Sequence, residues 1–215
     1  MNLSDHNPGG QFPISKETRL VVPFLWLVVV GVAAIMRLID LGASPLNSAE
    51  AVRALVAYAT AQGGVEGVQG VAPLLYHFNV LLFSLFGGED GLARLIPALA
   101  GVGLVMTPLL LRRYLGQWGS LGMGVMLALS PTVLFHSRLL DGAVVAALGV
   151  MVLVGCAAQF LDTYRANLVV LGGIGLAVAL TASPGAYGLL LGLVLALAGG
   201  LWLWWDQAQW MWPLV

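Results

Sequence analysis

The chain alternates between long uncharged apolar runs and short polar breaks, and the charges mark where each run stops. A helix that crosses a bilayer needs about 20 mostly apolar residues. Residues 20–36, between Arg19 and Arg37, form the first such run. Residues 95–111, between Arg94 and Arg112, form the second, and residues 118–136, before Arg138, the third. Residues 142–161, between Asp141 and Asp162, give a fourth. The uncharged stretch 166–205 is twice the required length and carries Ser183-Pro184-Gly185 at its middle, so it predicts two spans joined by a tight turn.

One apolar segment does not fit this series. Residues 74–86 follow Pro73, end at Gly87-Gly88, and are interrupted by Tyr76, His77, Asn79 and Ser84. A run that short is expected to lie at the interface or re-enter rather than span. Residues 47–62 predict a second surface helix. Asn47 is its cap, Glu50 closes a capping box at the third helical position, and Arg53 follows on the same face. Val52, Leu55, Val56 and Ala59 give that helix an apolar side able to rest on lipid or on other helices. The expected fold class is therefore all-α: a polytopic transmembrane bundle of about six spans, with two interfacial helices in the first outer loop. In residue ranges, 1–18 form a polar, flexible cytoplasmic tail and 19–40 the first transmembrane helix. Residues 41–91 form the outer loop, 92–206 a five-helix transmembrane region, and 207–215 an interfacial tail or the stub of a further span.

Composition agrees with lipid as the solvent. The 215 residues are 60% hydrophobic and 9% charged, with mean hydropathy +0.94, whereas a soluble domain carries about a quarter charged residues. A net charge of -1 provides no cationic field for nucleic acid, which is not an expected partner. Cys156 is the single cysteine, so no intrachain disulfide and no multi-thiolate metal site can form.

The basic residues set the expected orientation. Six spans with a cytoplasmic amino terminus put Lys16, Arg19, Arg112, Arg113 and Arg165 inside, and Arg37, Arg53, Arg94 and Arg138 outside. The adjacent pair Arg112-Arg113, in a short loop, favours this arrangement. The chain is thus expected to be a multi-pass plasma-membrane protein. The outer side then receives most acids: Asp40, Glu50, Glu66, Glu89, Asp90 and Asp141. No ionisable side chain falls near the middle of a span, which argues against a proton pump or ion-coupled transporter. Gly172-Gly173-Ile174-Gly175 has no preceding strand, so close helix packing explains it better than phosphate binding. Trp202, Trp204, Trp205, Trp210 and Trp212 read as an interfacial aromatic belt.

Several outer-side residues have two readings. Glu50 is a helix cap, or a base or metal ligand. Asp141 is a favourable charge at a helix start, or a metal ligand beside Glu50. Arg94 and Arg138 are span-end anchors, or a guanidinium grip for a phosphate. His77 and His136 are interfacial polar residues, or metal ligands.

The segments RLIDLGASPLNSAE (Arg37 to Glu50), Pro73 to Gly119, and LSPTVLFHSRLLD (Leu129 to Asp141) carry a family resemblance. Over roughly residues 20–160 the chain resembles the N-terminal module of GT-C-type membrane glycosyltransferases. The likeness is closest to the flippase activity-associated family, related to protein mannosyltransferases. The resemblance implies transfer of a sugar from a polyprenyl-phosphate carrier at the outer face, often with a divalent metal. It also implies that Glu50 matches the second member of an Asp-Glu pair and Asp141 a second-loop acid, with Arg94 and Arg138 at basic positions. Glu50 and Asp141 are the catalytic and metal-ligand candidates on that basis. Ala49, however, stands where the family's Asp base belongs, and Val71 where relatives carry a His or an acid before Pro73. Relatives also continue beyond this length. Loss of a general base costs roughly 100- to 10,000-fold in rate. The expectation is therefore a non-catalytic or repurposed GT-C-like subunit, packed with other membrane protein subunits in a larger complex. The alternative is a (split) glycosyltransferase using a polyprenyl-phosphate sugar.

Overall fold

A computed structural model describes residues 16–64 and 72–211, with side chains described for residues 21–64 and 72–199. The amino-terminal tail, Glu66, Val71, the five belt tryptophans' side chains and the carboxy-terminal residues 212–215 lie outside these described residues. The described chain is helical, without a strand among the described residues. Ten α-helices follow in order: α1 Lys16–Leu38, α2 Ser48–Ala61, α3 Pro73–Phe86, α4 Asp90–Ala93, α5 Leu95–Met106, α6 Arg112–Leu129, α7 Pro131–Ser137, α8 Ala143–Thr163, α9 Ala166–Ala182 and α10 Gly185–Met211.

Two helical segments are long and apolar enough to cross a membrane, Val21–Leu38 in α1 and Ala143–Thr163 in α8. A third is reached if α6 and α7, bent by 59° at their junction, count as one broken span. Shorter apolar helices, Pro73–Phe86, Leu95–Leu109, Ala166–Ala182 and Gly185–Gly199, make up the rest. Many large apolar side chains point outward, among them Phe24, Leu27, Ile35, Met126, Val169 and Leu195. In water such a surface would aggregate, and in a bilayer it is solvated. The apolar helices fit a membrane protein in contact with lipid.

The expected run 95–111 is shorter as a helix than as a sequence. Pro108 lacks the N–H that would continue α5, and Thr107–Leu109 forms a 3-10 turn instead. The expected run 118–136 is broken for a related reason. Pro131 cannot donate to the Leu127 carbonyl, so α6 stops and Ser130 caps α7 through its carbonyl and hydroxyl. At its other end α6 kinks at Gly116, whose φ of +72 suits only glycine, just before the apolar stretch begins.

Contacts at the helix ends show the path of the chain. The Leu140 amide, just before α8, meets Glu50 of α2. Arg94, just before α5, reaches the Leu41 carbonyl that follows α1. Gly142 lies against Ala182 and Ser183 at the end of α9. Thus α1, α6 and α9 finish where α5, α8 and α10 begin, at what is here the loop end of the bundle. The antiparallel pair α2–α3 lies at this end, held together by Tyr58 against Phe83 and by the Tyr76 hydroxyl on Thr60. Leu75 of α3 shares a buried core with Ala100 and Leu104 of α5, Val144 of α8, Ala182 of α9 and Ala186 of α10.

Close backbone approach holds α8 to α9. A Cβ at Gly149 would sit 2.5 Å from the Gly175 carbonyl oxygen, and one at Gly175 would sit 2.7 Å from the Gly149 carbonyl oxygen. Gly173, on the far side of α9, faces open space. Without a hydrophobic force between helices in lipid, such small-residue contact supplies the dispersion energy of association. Gly175→Val should therefore lower the detergent melting temperature strongly, while Gly173→Val leaves it within about 2 °C, in line with an unhindered surface change. Exposure of the buried Cys156 thiol to a fluorogenic reagent on heating measures both.

Candidate functional site

The candidate residues gather at the loop end, and their local sequence explains how each is held. Asn47 precedes α2 in extended conformation and its side chain accepts the Glu50 amide at 2.9 Å, while the Glu50 carboxylate accepts the Asn47 amide at 3.0 Å. The capping box expected from the sequence is therefore formed. It also turns the Glu50 side chain inward.

Glu50 is 2% exposed and its carboxylate has four donors. Oε2 accepts from Asn47 N and, at 2.7 Å, from Arg94 Nη2. Oε1 accepts from Arg94 Nε at 3.1 Å and from Leu140 N at 2.6 Å. Burial alone would push the Glu50 carboxyl up. The Arg94 hydrogen bond, the Leu140 and Asn47 amides and the Arg94 charge outweigh it and hold the group below its ordinary range. An ionised carboxylate offers about four lone-pair sites, and here all four are taken. No pair remains for a metal or a substrate proton.

Arg94, 3% exposed, is equally committed. Its Nη1 donates to the Leu41 and Ser44 carbonyls and to the Ser44 hydroxyl, and its Nη2 also donates to the Pro45 carbonyl. The guanidinium therefore ties the turn after α1 to the start of α2. Arg138 donates to the carbonyls of Met36, Ile39 and Asp40 at the end of α1. Arg53, three residues after Glu50, reaches the Leu140 carbonyl at 2.7 Å rather than Glu50. The arginines expected as phosphate grips, Arg94 and Arg138, are thus directed at backbone oxygens and, for Arg94, also at the Glu50 carboxylate.

Asp141 stands apart from this network. Its carboxylate is one-third exposed and lies 3.2 Å from His136 Nδ1 across the turn between α7 and α8. The adjacent Leu140 amide donates to Glu50, so Glu50 is bonded to the residue next to Asp141, yet the two carboxylates have different partners. Among the described residues no group of three or more His, Cys, Asp or Glu side chains is arranged to hold a metal. The donors present do not suit a Glu50–Asp141 metal centre, because Glu50 has no free oxygen lone pair. His77 is used locally, with Nδ1 on the Pro73 carbonyl at 2.7 Å. Ala49, before Glu50 in α2, is exposed, so the outward position carries only a methyl group and the inward one carries the acid.

Sequence reasoning placed Arg37 at the outer end but gave it no role there. It is fully buried, and donates from Nη1 to the Ala33 and Ala128 carbonyls and from Nη2 to the Leu127 carbonyl. Leu127 is the residue whose helical partner is removed by Pro131, so Arg37 substitutes for the missing N–H. A Cβ at Gly101 would fall 2.9 Å from Arg37 Nε, so glycine there gives the guanidinium its room. The available signal was a Pro four residues after Leu127 with an arginine at the end of another apolar run.

Comparison with protein-family models, curated proteins and solved structures finds no match to this chain.

Removing one member of a buried ion pair costs about 3–5 kcal/mol, which for a chain of this size lowers melting by roughly 10 °C. Glu50→Gln should show that loss at neutral pH. A depressed folded-state pKa contributes stability above the unfolded value and loses it as pH falls through the folded value. The melting gap between the native chain and Glu50→Gln should therefore narrow on acidification below the ordinary carboxylate range, about 4.3, and stay constant from pH 6 to 8. Ala49→Asp, at an exposed site in the first turn of α2, should leave melting unchanged or slightly raised.

Proposed function

We propose that this chain is a non-catalytic, GT-C-like membrane subunit that packs within a larger membrane protein complex. The observation that carries the reading is the Glu50 carboxylate, buried with four donors and no open lone pair. The position where the family likeness expects its base holds Ala49. The resemblance implies that the Asp of the pair acts as base on the acceptor hydroxyl, while a second-loop acid and basic groups help hold the carrier phosphate. Here that Asp is replaced by Ala49, and Glu50 beside it serves as a structural clamp.

In this reading the chain crosses the plasma membrane six times, through α1, α5, α6 with α7, α8, α9 and α10. The alternation of helix ends described above supports that path. The amino terminus is cytoplasmic and the loop end faces outward, because Arg112, Arg113 and Arg165 then lie inside. The outward arginines are engaged by carbonyl oxygens and, for Arg94, by the Glu50 carboxylate, which supports reading the Arg112-Arg113 pair as the cytoplasmic signal.

A split glycosyltransferase acting on a polyprenyl-phosphate sugar is the second reading. It rests on Asp141, whose carboxylate is accessible beside His136, and it requires a partner chain to supply the base.

Extraction in mild detergent and native mass measurement separate these readings. The subunit reading expects a particle well above the 22.5 kDa of one chain, containing other membrane proteins. It also expects no turnover of polyprenyl-phosphate sugars with divalent metal. A lone monomer would remove the subunit reading. Turnover abolished by Asp141→Asn, with melting unchanged, would establish the transferase instead.

A further inference from the structure

The end of the bundle opposite the loops carries arginines in a different setting. Arg112 and Arg113 open α6, Arg165 stands in the turn between α8 and α9, and all three are exposed. At the loop end the guanidinium groups meet backbone carbonyls. Here one has a carboxylate and two have nothing. Arg113 Nη1 lies 3.3 Å from Asp162 Oδ2, while the Arg112 and Arg165 guanidinium groups have no acceptor among the described residues.

The corner is held in a fixed arrangement. Tyr114 places its hydroxyl 2.7 Å from the Ala158 carbonyl and also against the Asp162 carboxylate. Gln159 donates to the Leu110 carbonyl at 2.7 Å, just before α6. These contacts join the start of α6 to the last turns of α8. Tyr164 then ends α8 in the left-handed conformation and returns the chain directly into α9, so Arg165 follows Asp162 by three residues. Three guanidinium groups therefore share one carboxylate, and that carboxylate already serves the Tyr114 hydroxyl.

Two further features make this excess of charge unfavourable in isolation. Arg165 is the N-cap of α9 and makes no side-chain cap hydrogen bond, so its charge sits at the positive end of a helix macrodipole. Arg112 and Arg113 are adjacent and repel each other. An anion at the corner relieves both. The surroundings indicate which anion. Leu161 and Tyr164 at the end of α8 and Val169 in the first turn of α9 are all more than half exposed. An aromatic and apolar wall beside the arginines fits a lipid, with its phosphate at the guanidinium level and its acyl chains below.

We infer that this corner is a binding site for the headgroup phosphate of an anionic phospholipid. Arg112 and Arg165 donate to the phosphate oxygens, and Arg113, held by Asp162, stands beside them. The acyl chains lie along Leu161 and Val169. A zwitterionic lipid brings its own cation and fits the corner less well. The inference rests on the membrane-embedded reading and goes beyond orientation, because it assigns these arginines a discrete site for one class of lipid.

The test is to titrate the full chain in mild detergent with phosphatidylglycerol or with phosphatidylcholine of the same acyl chains, counting bound lipid by native mass measurement. A basic residue at a membrane surface contributes about fivefold to affinity for an anionic lipid. Arg112→Gln and Arg165→Gln should each weaken phosphatidylglycerol binding by that factor and leave phosphatidylcholine binding unchanged. Arg165→Lys, which keeps the charge, should retain binding, so loss of charge and loss of structure are told apart. Equal binding of the two lipids by the native chain overturns the site, as does an undiminished phosphatidylglycerol preference in the double variant Arg112→Gln/Arg165→Gln. Displacement of the lipid by inorganic phosphate at matched ionic strength would mark a free-anion site and overturn the lipid assignment. A chain that stays in solution without detergent ends the membrane reading itself, whereas a detergent-dependent chain with no headgroup preference ends the lipid site alone.

Discussion

A backbone carbonyl with no helical partner is the constraint around which the loop end is built. Breaking helices inside an apolar bundle strands such oxygens, each costing several kcal/mol if left bare. Four arginines meet them. Arg37 leaves α1 to serve Leu127 and Ala128 at the end of α6, and Arg138 returns from beyond α7 to serve Met36, Ile39 and Asp40 at the end of α1. The exchange is reciprocal. Each guanidinium also puts positive charge at a helix carboxy terminus, where the macrodipole favours it. Arg94 and Arg53 extend the same device to the turn after α1 and to Leu140.

Glu50 gives that cationic end its anion. Its four donors come from three separate segments: the cap of α2, the residue before α5 and the turn before α8. A single buried carboxylate thus fixes the positions of α2, α5 and α8 relative to one another. Such a pair is weak evidence for net stability against an apolar replacement, yet loss of one member is costly. That asymmetry explains how a carboxylate with all its lone pairs engaged remains important to the arrangement.

Away from the loop end, the closest helix packing depends on small residues, while Gln159 on the Leu110 carbonyl and Asp162 with Tyr114 and Arg113 add polar contacts at the opposite end. Gly149 and Gly175 let the α8 and α9 backbones touch, and Gly124 admits the Trp26 indole of α1 against α6. The two regimes divide the molecule sensibly. Along the continuous backbone of α8 and α9, shape holds helices together, and where backbone is interrupted at the loop end, guanidinium groups replace the missing donors.

Much of the helical layout was legible in the sequence, because charge is so expensive in lipid that each Arg or Asp marks a boundary. The limits of α1 and α8, the turn at Ser183-Pro184, and the capping box of Asn47 and Glu50 all follow from local rules that act within a few residues. The breaks at Pro108 and Pro131 were legible too, but apolar continuity outweighed them in a reading based on hydropathy alone. What only the tertiary structure decided is which way the polar side chains turn. Glu50 and Arg94 are separated by 44 positions, and Arg37 and Leu127 by 90. Whether an acid becomes a ligand or a clamp depends on what the fold brings to its lone pairs, and that is a property of distant backbone rather than of neighbouring letters.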